Sequence, residues 1–302
     1  MAPMHISEGI LPLGHAAAWG AAAAPFLALG VREARRLRAA GPSPRLALLG
    51  MSFAFTFAAS AFPLPVPVVG ASSHLCATPL VALILGPRLA VLPAAAALLA
   101  QALLLGHGGL TPIGANLLTM GVVAPWITVV VARATTAARL PRGAVVGLAC
   151  AAGSASVYAA DAAILALALP GSQGFLHWFT RIGLGFAPIQ APLLVVEALL
   201  GAAIWRALLR RRPEALPTWG RAAAATAVVL ALLGGGVAAA EDYRGVDDLV
   251  MGAAAEEAGR PGTGPVLPVE QGDLPLFFFS AGGLVAGFSL GRGWDRLGRP
   301  AP

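Results

Sequence analysis

Long apolar segments alternate with short polar or arginine-rich segments along most of this chain. The apolar segments lie near residues 12–36, 44–63, 74–86, 88–106, 113–135, 143–169, 176–211, 221–240 and 273–292. Most of them approach or exceed the ~20 residues that a helix needs to cross a bilayer. The pattern therefore predicts an all-α fold, a polytopic helical bundle in a membrane.

The third apolar segment, 74–86, is too short to cross a bilayer alone. Only Gly86, Pro87 and Arg88 separate it from the fourth segment. We expect either a half-helix or a helix buried against its neighbours, because irregular backbone at membrane depth is tolerated where protein covers it.

The arginines predict the orientation of the bundle. Seventeen of the twenty fall on alternate connections between the segments, and only Arg181, Arg244 and Arg260 fall on the others. Connections rich in arginine face the cytoplasm. We therefore expect the N-terminus outside and the C-terminus in the cytoplasm of an inner (plasma) membrane protein.

Composition narrows the function. The chain is 58% hydrophobic and contains no lysine, so it lacks the lysine that a Walker A motif requires. An active transporter of this sequence must take its energy from a partner or an ion gradient.

Cys76 and Cys150 lie in apolar segments and are expected to be small buried thiols. No basic region precedes the first segment, so residues 11–36 are expected to be a retained helix rather than a signal peptide.

The five histidines all fall at or near the predicted outer face, which suggests an external metal site. They are His5, His15, His74, His107 and His177. A metalloenzyme is disfavoured, because the chain has no H-E-x-x-H motif and no acid beside a histidine.

His5 is the most informative of the five. If translation begins at Met4, the terminal amine, the His5 backbone nitrogen and one His5 ring nitrogen can chelate a single cation. Late first-row ions accept such nitrogen ligands best. A start at Met1 would move the amine away and put Pro3, which has no N–H, between them. We expect the native chain to begin at Met4, with His74 supplying a fourth nitrogen.

These residues resemble the CbiM/NikM family, the cobalt and nickel capture subunits of energy-coupling-factor ABC transporters. The resemblance rests on four stretches: MHISEGILP at 4–12, GASSHL at 70–75, LGPRLAVL at 85–92 and QALLLGHGGLTPIGANLLTMGVV at 101–123. It implies a seven-helix core whose outer cavity holds the N-terminal segment. It also implies that Met4, His5 and His74 bind the metal.

The C-terminal part resembles a fused accessory subunit of the CbiN type, through QGDLPLFFFSAGGLVAGFSLGRGW at 271–294. We therefore divide the chain into a capture domain at 1–212 and a two-helix accessory region at 213–302. Between its two helices, residues 241–273 carry eight acids. Either a solvated loop or a funnel that gathers cations fits that composition.

Other polar residues are expected to support the ligands. Glu8 can anchor or cap the N-terminal segment, and Asn116 can bond a liganding imidazole or cap a helix. The family often has an acid where this chain has His107, so that side chain is expected to support the site without binding the ion. Asp161 and Glu197 lie within membrane segments, where a structural hydrogen bond or a proton relay is expected.

The leading hypothesis is capture of external Co²⁺ or Ni²⁺ without any resident cofactor. The resemblance implies a CbiQ/NikQ-type coupling subunit and CbiO/NikO-type ATPase subunits as partners within the lipid membrane, and no nucleic acid. The alternative is a stand-alone secondary transporter that couples metal movement to protons through Asp161 and Glu197.

Overall fold

The computed structural model of the protein describes residues 5–41, 43–61, 64–66, 71–168, 173–211, 213, 216 and 244–245. Eight α-helices account for most of these residues. They are α1 (Leu13–Ala39), α2 (Pro44–Ala61), α3 (Thr78–Leu85), α4 (Pro87–Leu104), α5 (Ile113–Leu117), α6 (Ala124–Ala137), α7 (Arg142–Ala168) and α8 (Gly174–Arg211). A π-helical segment, Leu118–Val123, joins α5 to α6.

Six helical segments are long and apolar enough to cross a membrane. They are Leu13–Ala39, Pro44–Ala61, Pro87–Leu104, Ile113–Ala137, Arg142–Ala168 and Gly174–Arg211. Together with α3 they match the first seven predicted segments, so the prediction of an all-α membrane bundle is confirmed. The predicted segments 221–240 and 273–292 lie outside the described residues, so the count of nine stays a prediction.

The short third segment begins later than predicted. Residues 74–77 are irregular, and α3 starts at Thr78 with Pro79 in its first turn, where a missing N–H costs nothing. The predicted start at 74 is therefore wrong by four residues. At the other end Gly86 has φ +90°, a conformation that favours glycine, and Pro87 opens α4 immediately afterwards. The helix is buried among its neighbours, which agrees with one of the two expectations for this segment.

The fifth segment is continuous but not uniform. Its π-helical turns fall where it passes α4, and a Cβ added at Gly121 would lie 3.2 Å from the Ala94 Cβ. Local π-helical geometry is frequent near functional sites. Here it follows directly on Asn116 and Leu117, at the end of the bundle where the N-terminal segment lies.

A small β-sheet precedes α3, and the apolar pattern did not predict it. Strands β1 (Leu64–Val66) and β2 (Ala71–Ser73) pair antiparallel, and β3 (Arg244–Gly245) pairs parallel to β2. The sheet brings a segment from the C-terminal part of the chain beside the strand that leads into His74.

The two ends of the bundle differ in their chemistry. Helix α1 ends with Arg36 and Arg38 in its last turn, and α8 ends with Arg210 and Arg211. At this end Arg45 also donates a hydrogen bond of 2.9 Å to the carbonyl oxygen of Leu85, the last residue of α3. The histidines occupy the opposite ends of the helices.

Candidate metal centre

Three histidines from distant parts of the chain meet at one end of the bundle. His5 precedes α1, His74 lies between β2 and α3, and His107 lies between α4 and α5. One ligand nitrogen from each lies within 4.8 Å of the others. The ring centroids are 5.1 Å apart for His5 and His74, 4.9 Å for His5 and His107, and 5.3 Å for His74 and His107. Separations of this size suit three ligands around one ion.

Burial keeps these imidazoles neutral. All three side chains are at most 6% exposed. Desolvation lowers the pKa of His74 to about 4, and it holds the pKa of His5 and of His107 well below the usual range. The neighbouring rings lower the pKa of His5 and His107 further. At neutral pH each ring therefore carries a lone pair, which is the form that binds a metal.

The N-terminal segment is anchored to the start of the fifth segment by a pair of hydrogen bonds. The Ile6 N–H donates to Asn116 Oδ1 at 2.9 Å, and Asn116 Nδ2 donates to the Ile6 carbonyl at 3.1 Å. Asn116 lies inside α5 and bonds backbone rather than an imidazole. The structure thus shows Asn116 bonded to backbone in place of the imidazole or helix cap expected for it, and its contacts locate His5 through the next residue.

Glu8 anchors the same segment to the loop that carries His107. Its carboxylate accepts a hydrogen bond of 3.1 Å from the Thr111 N–H, and its own N–H donates to the Gly108 carbonyl at 3.0 Å. Of the two roles expected for Glu8, the structure therefore has the anchor. Ile6, Ile10 and Leu11 are buried beside it and pack in one cluster with side chains of α7 and α8.

The two glycines after His107 let the N-terminal segment lie directly on the loop. Gly108 has φ +80°, and a Cβ there would lie 3.1 Å from the His5 Cβ. A Cβ at Gly109 would lie 3.0 Å from the Glu8 Cα and closer still to the Glu8 carboxylate. Any larger residue at 109 must push the backbone of the N-terminal segment away.

Gly109→Ala is therefore expected to weaken Co²⁺ binding, because overpacking of this kind costs about 1–3 kcal/mol and here it displaces His5. The measurement is a Co²⁺ titration of the purified variant. Gly14→Ala is the matched control, since a Cβ at Gly14 meets nothing within 4 Å. Equal affinity in the two variants would contradict the close seating of the N-terminal segment.

Helix α8 holds the loop that carries His74. Gln190 Nε2 donates to Ser73 Oγ at 2.9 Å, and the Glu197 carboxylate accepts a hydrogen bond from the Cys76 N–H. Within the loop, His74 Nδ1 lies 3.3 Å from the Leu75 carbonyl oxygen, which only accepts. A hydrogen bond to this oxygen requires the proton on Nδ1 of His74 and leaves the lone pair on Nε2.

Sequence reasoning brought His5 and His74 to the same site, and the structure places them together. Met4 lies outside the described residues, so its part in the site stays a prediction. His107, which the sequence placed at the site as a supporting residue, lies about as close to the other two rings as they lie to each other. His15 is half-buried in the first turn of α1 and His177 is exposed on α8, and neither belongs to the cluster.

Two thiols and two acids are buried along the bundle without joining the histidine cluster. Cys76 and Cys150 are free and buried, as predicted. They line a cavity of about 320 Å³ together with Glu197, between α2 and α8. Asp161 is buried in α7.

Comparison with known proteins identifies the family of the chain. The family model described as "CbiM: Cobalt uptake substrate-specific transmembrane region" matches residues 5–215, more than half of the chain. The chain belongs to the CbiM family. The family is a transport component of cobalt uptake and not an enzyme, and this member is a multi-pass membrane protein.

Named relatives agree with the assignment. A protein of Geobacter sulfurreducens named cobalt transport protein CbiM is 40% identical over 97% of this chain and 90% of its own length. A protein of the same name from Streptomyces coelicolor is 42% identical over 68% of this chain and 89% of its own length. The first alignment extends into the C-terminal part of the chain, beyond the family match.

Solved structures share the fold. A crystal structure titled a truncated transition metal transporter superposes with a TM-score of 0.59 at 26% identity, covering 68% of this chain and 99% of that chain. This CbiM family member therefore shares its helical core with a transporter of transition metals.

Proposed function

We propose that this protein is the substrate-capture subunit of an energy-coupling-factor transporter and binds external Co²⁺ or Ni²⁺ for ATP-driven uptake. The observation that carries the proposal is the cluster of three buried, neutral imidazoles, His5, His74 and His107. Imidazole nitrogen suits late first-row transition ions, whereas Mg²⁺ and Ca²⁺ prefer oxygen ligands. The ion is cargo, so the site must hold it and later release it.

The terminal amine of Met4 completes the proposed ligand set. With the amine, the His5 backbone nitrogen, His5 and His74, the ion has four nitrogen ligands. Raw affinity would favour Ni²⁺ over Co²⁺ for such ligands. We propose Co²⁺ as the natural cargo, because the relatives that match this chain carry the name of cobalt transport proteins.

In the proposed orientation the metal site lies on the outer side of the inner membrane. The arginine-rich helix ends and the C-terminus lie on its cytoplasmic side. This orientation is supported by the histidines and arginines lying at opposite ends of α1 and α4. Helix α1, at 27 residues, is about 40 Å long and separates the two ends by more than the thickness of the hydrocarbon core.

We also propose that residues 213–302 form a CbiN-like accessory region fused to the capture domain of residues 1–212. The family match ends at residue 215, close to this boundary. The pairing of Arg244 and Gly245 with β2 supports contact between the accessory region and the loop that leads to His74.

Reconstitution into proteoliposomes tests the central proposal. The protein alone is expected to bind Co²⁺ without accumulating it. Accumulation is expected only when a CbiQ-type coupling subunit, CbiO-type ATPase subunits and ATP are present. Concentrative Co²⁺ uptake by the protein alone, driven by a proton gradient, would replace this proposal with secondary transport.

Secondary transport is the second candidate, because two buried acids lie within membrane helices. Asp161 and Glu197 are 2% and 7% exposed. Intramembrane acids are costly and frequently carry protons. The Glu197 contact with the Cys76 N–H instead supports an anchoring role, since it ties α8 to the loop between His74 and α3.

Glu197→Gln separates the two roles. The glutamine keeps a carbonyl oxygen for the Cys76 N–H but cannot carry a proton, so Co²⁺ uptake by the complete complex is expected to stay near the wild-type rate. Glu197→Ala removes the acceptor and is expected to destabilise the protein by about 1–3 kcal/mol. Thermal unfolding and uptake are measured on both variants. Uptake lost equally in Glu197→Gln and Glu197→Ala would contradict the anchoring role and favour a proton relay.

A further inference from the structure

Gln101 is a buried polar side chain in a membrane helix, at the point where α4 approaches the histidine cluster. It is 0% exposed and lies one turn before the end of α4 at Leu104. A buried amide without hydrogen bonds costs free energy in such a place. The contacts of Gln101 therefore indicate why a polar residue lies at this position in the helix.

Gln101 contacts two of the three histidine-bearing segments. Its side-chain oxygen Oε1 lies 3.3 Å from His5 Nε2. Its backbone oxygen accepts hydrogen bonds from the N–H groups of Leu105, at 3.0 Å, and of His107, at 3.1 Å. One residue thus fixes the backbone of the His107 loop and touches the ring of His5 on the N-terminal segment.

The side-chain contact determines which ring nitrogen of His5 carries the proton. An amide oxygen only accepts, so His5 Nε2 must donate and Nδ1 must hold the lone pair. Only Nδ1 can close a small chelate ring with the backbone nitrogen of the same residue, a ring made of the metal, N, Cα, Cβ, Cγ and Nδ1. The contact with Gln101 therefore leaves the lone pair on Nδ1 of His5, which is the nitrogen that the chelate needs.

We propose that Gln101 is a positioning residue that holds His5 in the Nε2–H tautomer, so that His5 presents Nδ1 to the transition-metal cargo. The inference rests on the proposed function. Hydrogen bonds of this kind orient liganding imidazoles and raise their basicity. For His74 the Leu75 carbonyl has the corresponding role. It accepts from Nδ1, so that Nε2 is the nitrogen left to bind the ion. The two rings thus present different nitrogens to one ion.

The tautomer can be read in the metal-free protein. Protein labelled with ¹⁵N at histidine is studied in detergent micelles, and the His5 signals are assigned with His5→Gln. We expect a proton on Nε2 of His5 and none on Nδ1. A proton on Nδ1 in the wild type would mean that the amide donates to Nε2 instead of accepting, and that result overturns the proposal without any variant having to fold.

Two substitutions distinguish positioning from simple packing. Gln101→Leu removes the acceptor, so His5 is expected to populate both tautomers and Co²⁺ affinity is expected to fall about 10–100-fold, the usual effect of losing a partner of a metal-bound histidine. Gln101→Glu keeps an acceptor at the same place and is expected to retain the Nε2–H tautomer and the affinity. Thr128→Val is the control, since Thr128 is equally buried and bonds only the Ala124 carbonyl, on α6.

The His74 and His107 signals serve as internal references, because the Gln101 side chain contacts the His5 ring, whereas the His107 loop is bonded to the backbone oxygen of Gln101. A Gln101→Leu protein with an unchanged His5 tautomer, or with no greater loss of affinity than Thr128→Val, overturns the proposal. A wild type with the expected tautomer that binds no Co²⁺ would instead refute the proposed function, so the two failures are distinguishable.

Discussion

Replacing His5 by alanine is expected to abolish high-affinity Co²⁺ binding. The substitution removes one of three imidazoles whose ligand nitrogens lie within 4.8 Å of one another, and with it the ring nitrogen of the chelate proposed for His5. Loss of a supporting partner alone costs about 10–100-fold in affinity, so loss of this ligand should cost at least about 100-fold. The measurement is the Co²⁺ content of the purified protein together with a binding isotherm.

The chain supplies its own control for this experiment. His15 follows the same N-terminal segment but lies in the first turn of α1, outside the cluster. His15→Ala is therefore expected to bind Co²⁺ like the wild type. Equal loss in His5→Ala and His15→Ala would point to a general effect on folding, and retained binding in His5→Ala would remove His5 from the site.

The position of the chain start is expected to have an equally large effect. A protein that begins at Met4 should load with one Co²⁺, whereas the same protein preceded by Met1, Ala2 and Pro3 should load at least about 100-fold more weakly, as for loss of a ligand. With the prefix present, residue 4 has a peptide nitrogen in place of an amine. An α-amine has a pKa near ~8, so its lone pair is readily freed for the ion. A peptide nitrogen binds only after losing its amide proton, and the prefixed protein would need two such losses, at residues 4 and 5, instead of one.

The two proteins are compared by metal analysis after purification under identical conditions, with N-terminal sequencing to establish which residue comes first. A third sample carries three extra residues at the C-terminus and controls for chain length. Chemical acetylation of the Met4 amine should reproduce the effect of the prefix. Full loading of the prefixed or acetylated protein would contradict the proposed role of the amine.

The membrane segments could be predicted from the sequence because length and apolarity are properties of each segment alone. The π-helical turns and the hairpin before α3 could not, since they arise from packing of the fifth segment on α4 and from pairing between strands of a loop. The start of α3 at Thr78 could have been predicted from the sequence. Pro79 belongs in the first turn of a helix, so a start near Thr78 could have been chosen over one at 74.

The site was predictable only in part. His5 and His74 could be brought together through chelation chemistry and the resemblance, and His107 could be placed beside them in a supporting role, which stays a prediction. The nearly equal spacing of the three rings could not be predicted. His107 is flanked by Gly106 and Gly108, both with positive φ, and a side chain between such glycines lies in a tight loop. Gln101 is a polar residue in an otherwise apolar segment, and this feature of the sequence could have marked it as a residue of the site.

Asn116 illustrates why the remaining contacts could not be predicted. Its side chain bonds both polar groups of the Ile6 backbone, 110 positions away in the chain. A sequence shows which residues can form hydrogen bonds, but which backbone they meet depends on the packing of the whole bundle. Glu8 differs, because the sequence predicted that it would either anchor or cap the N-terminal segment, but gave no basis for preferring one of these roles.

X-ray absorption spectroscopy at the cobalt edge, on the Co²⁺-loaded protein beginning at Met4, tests the central claim most directly. We predict a coordination shell made mainly of nitrogen, with the outer-shell scattering of imidazole, and a weaker imidazole contribution in the His74→Ala protein. A shell made mainly of oxygen, or identical spectra from wild type and His74→Ala, would contradict a histidine-bound metal at this end of the bundle.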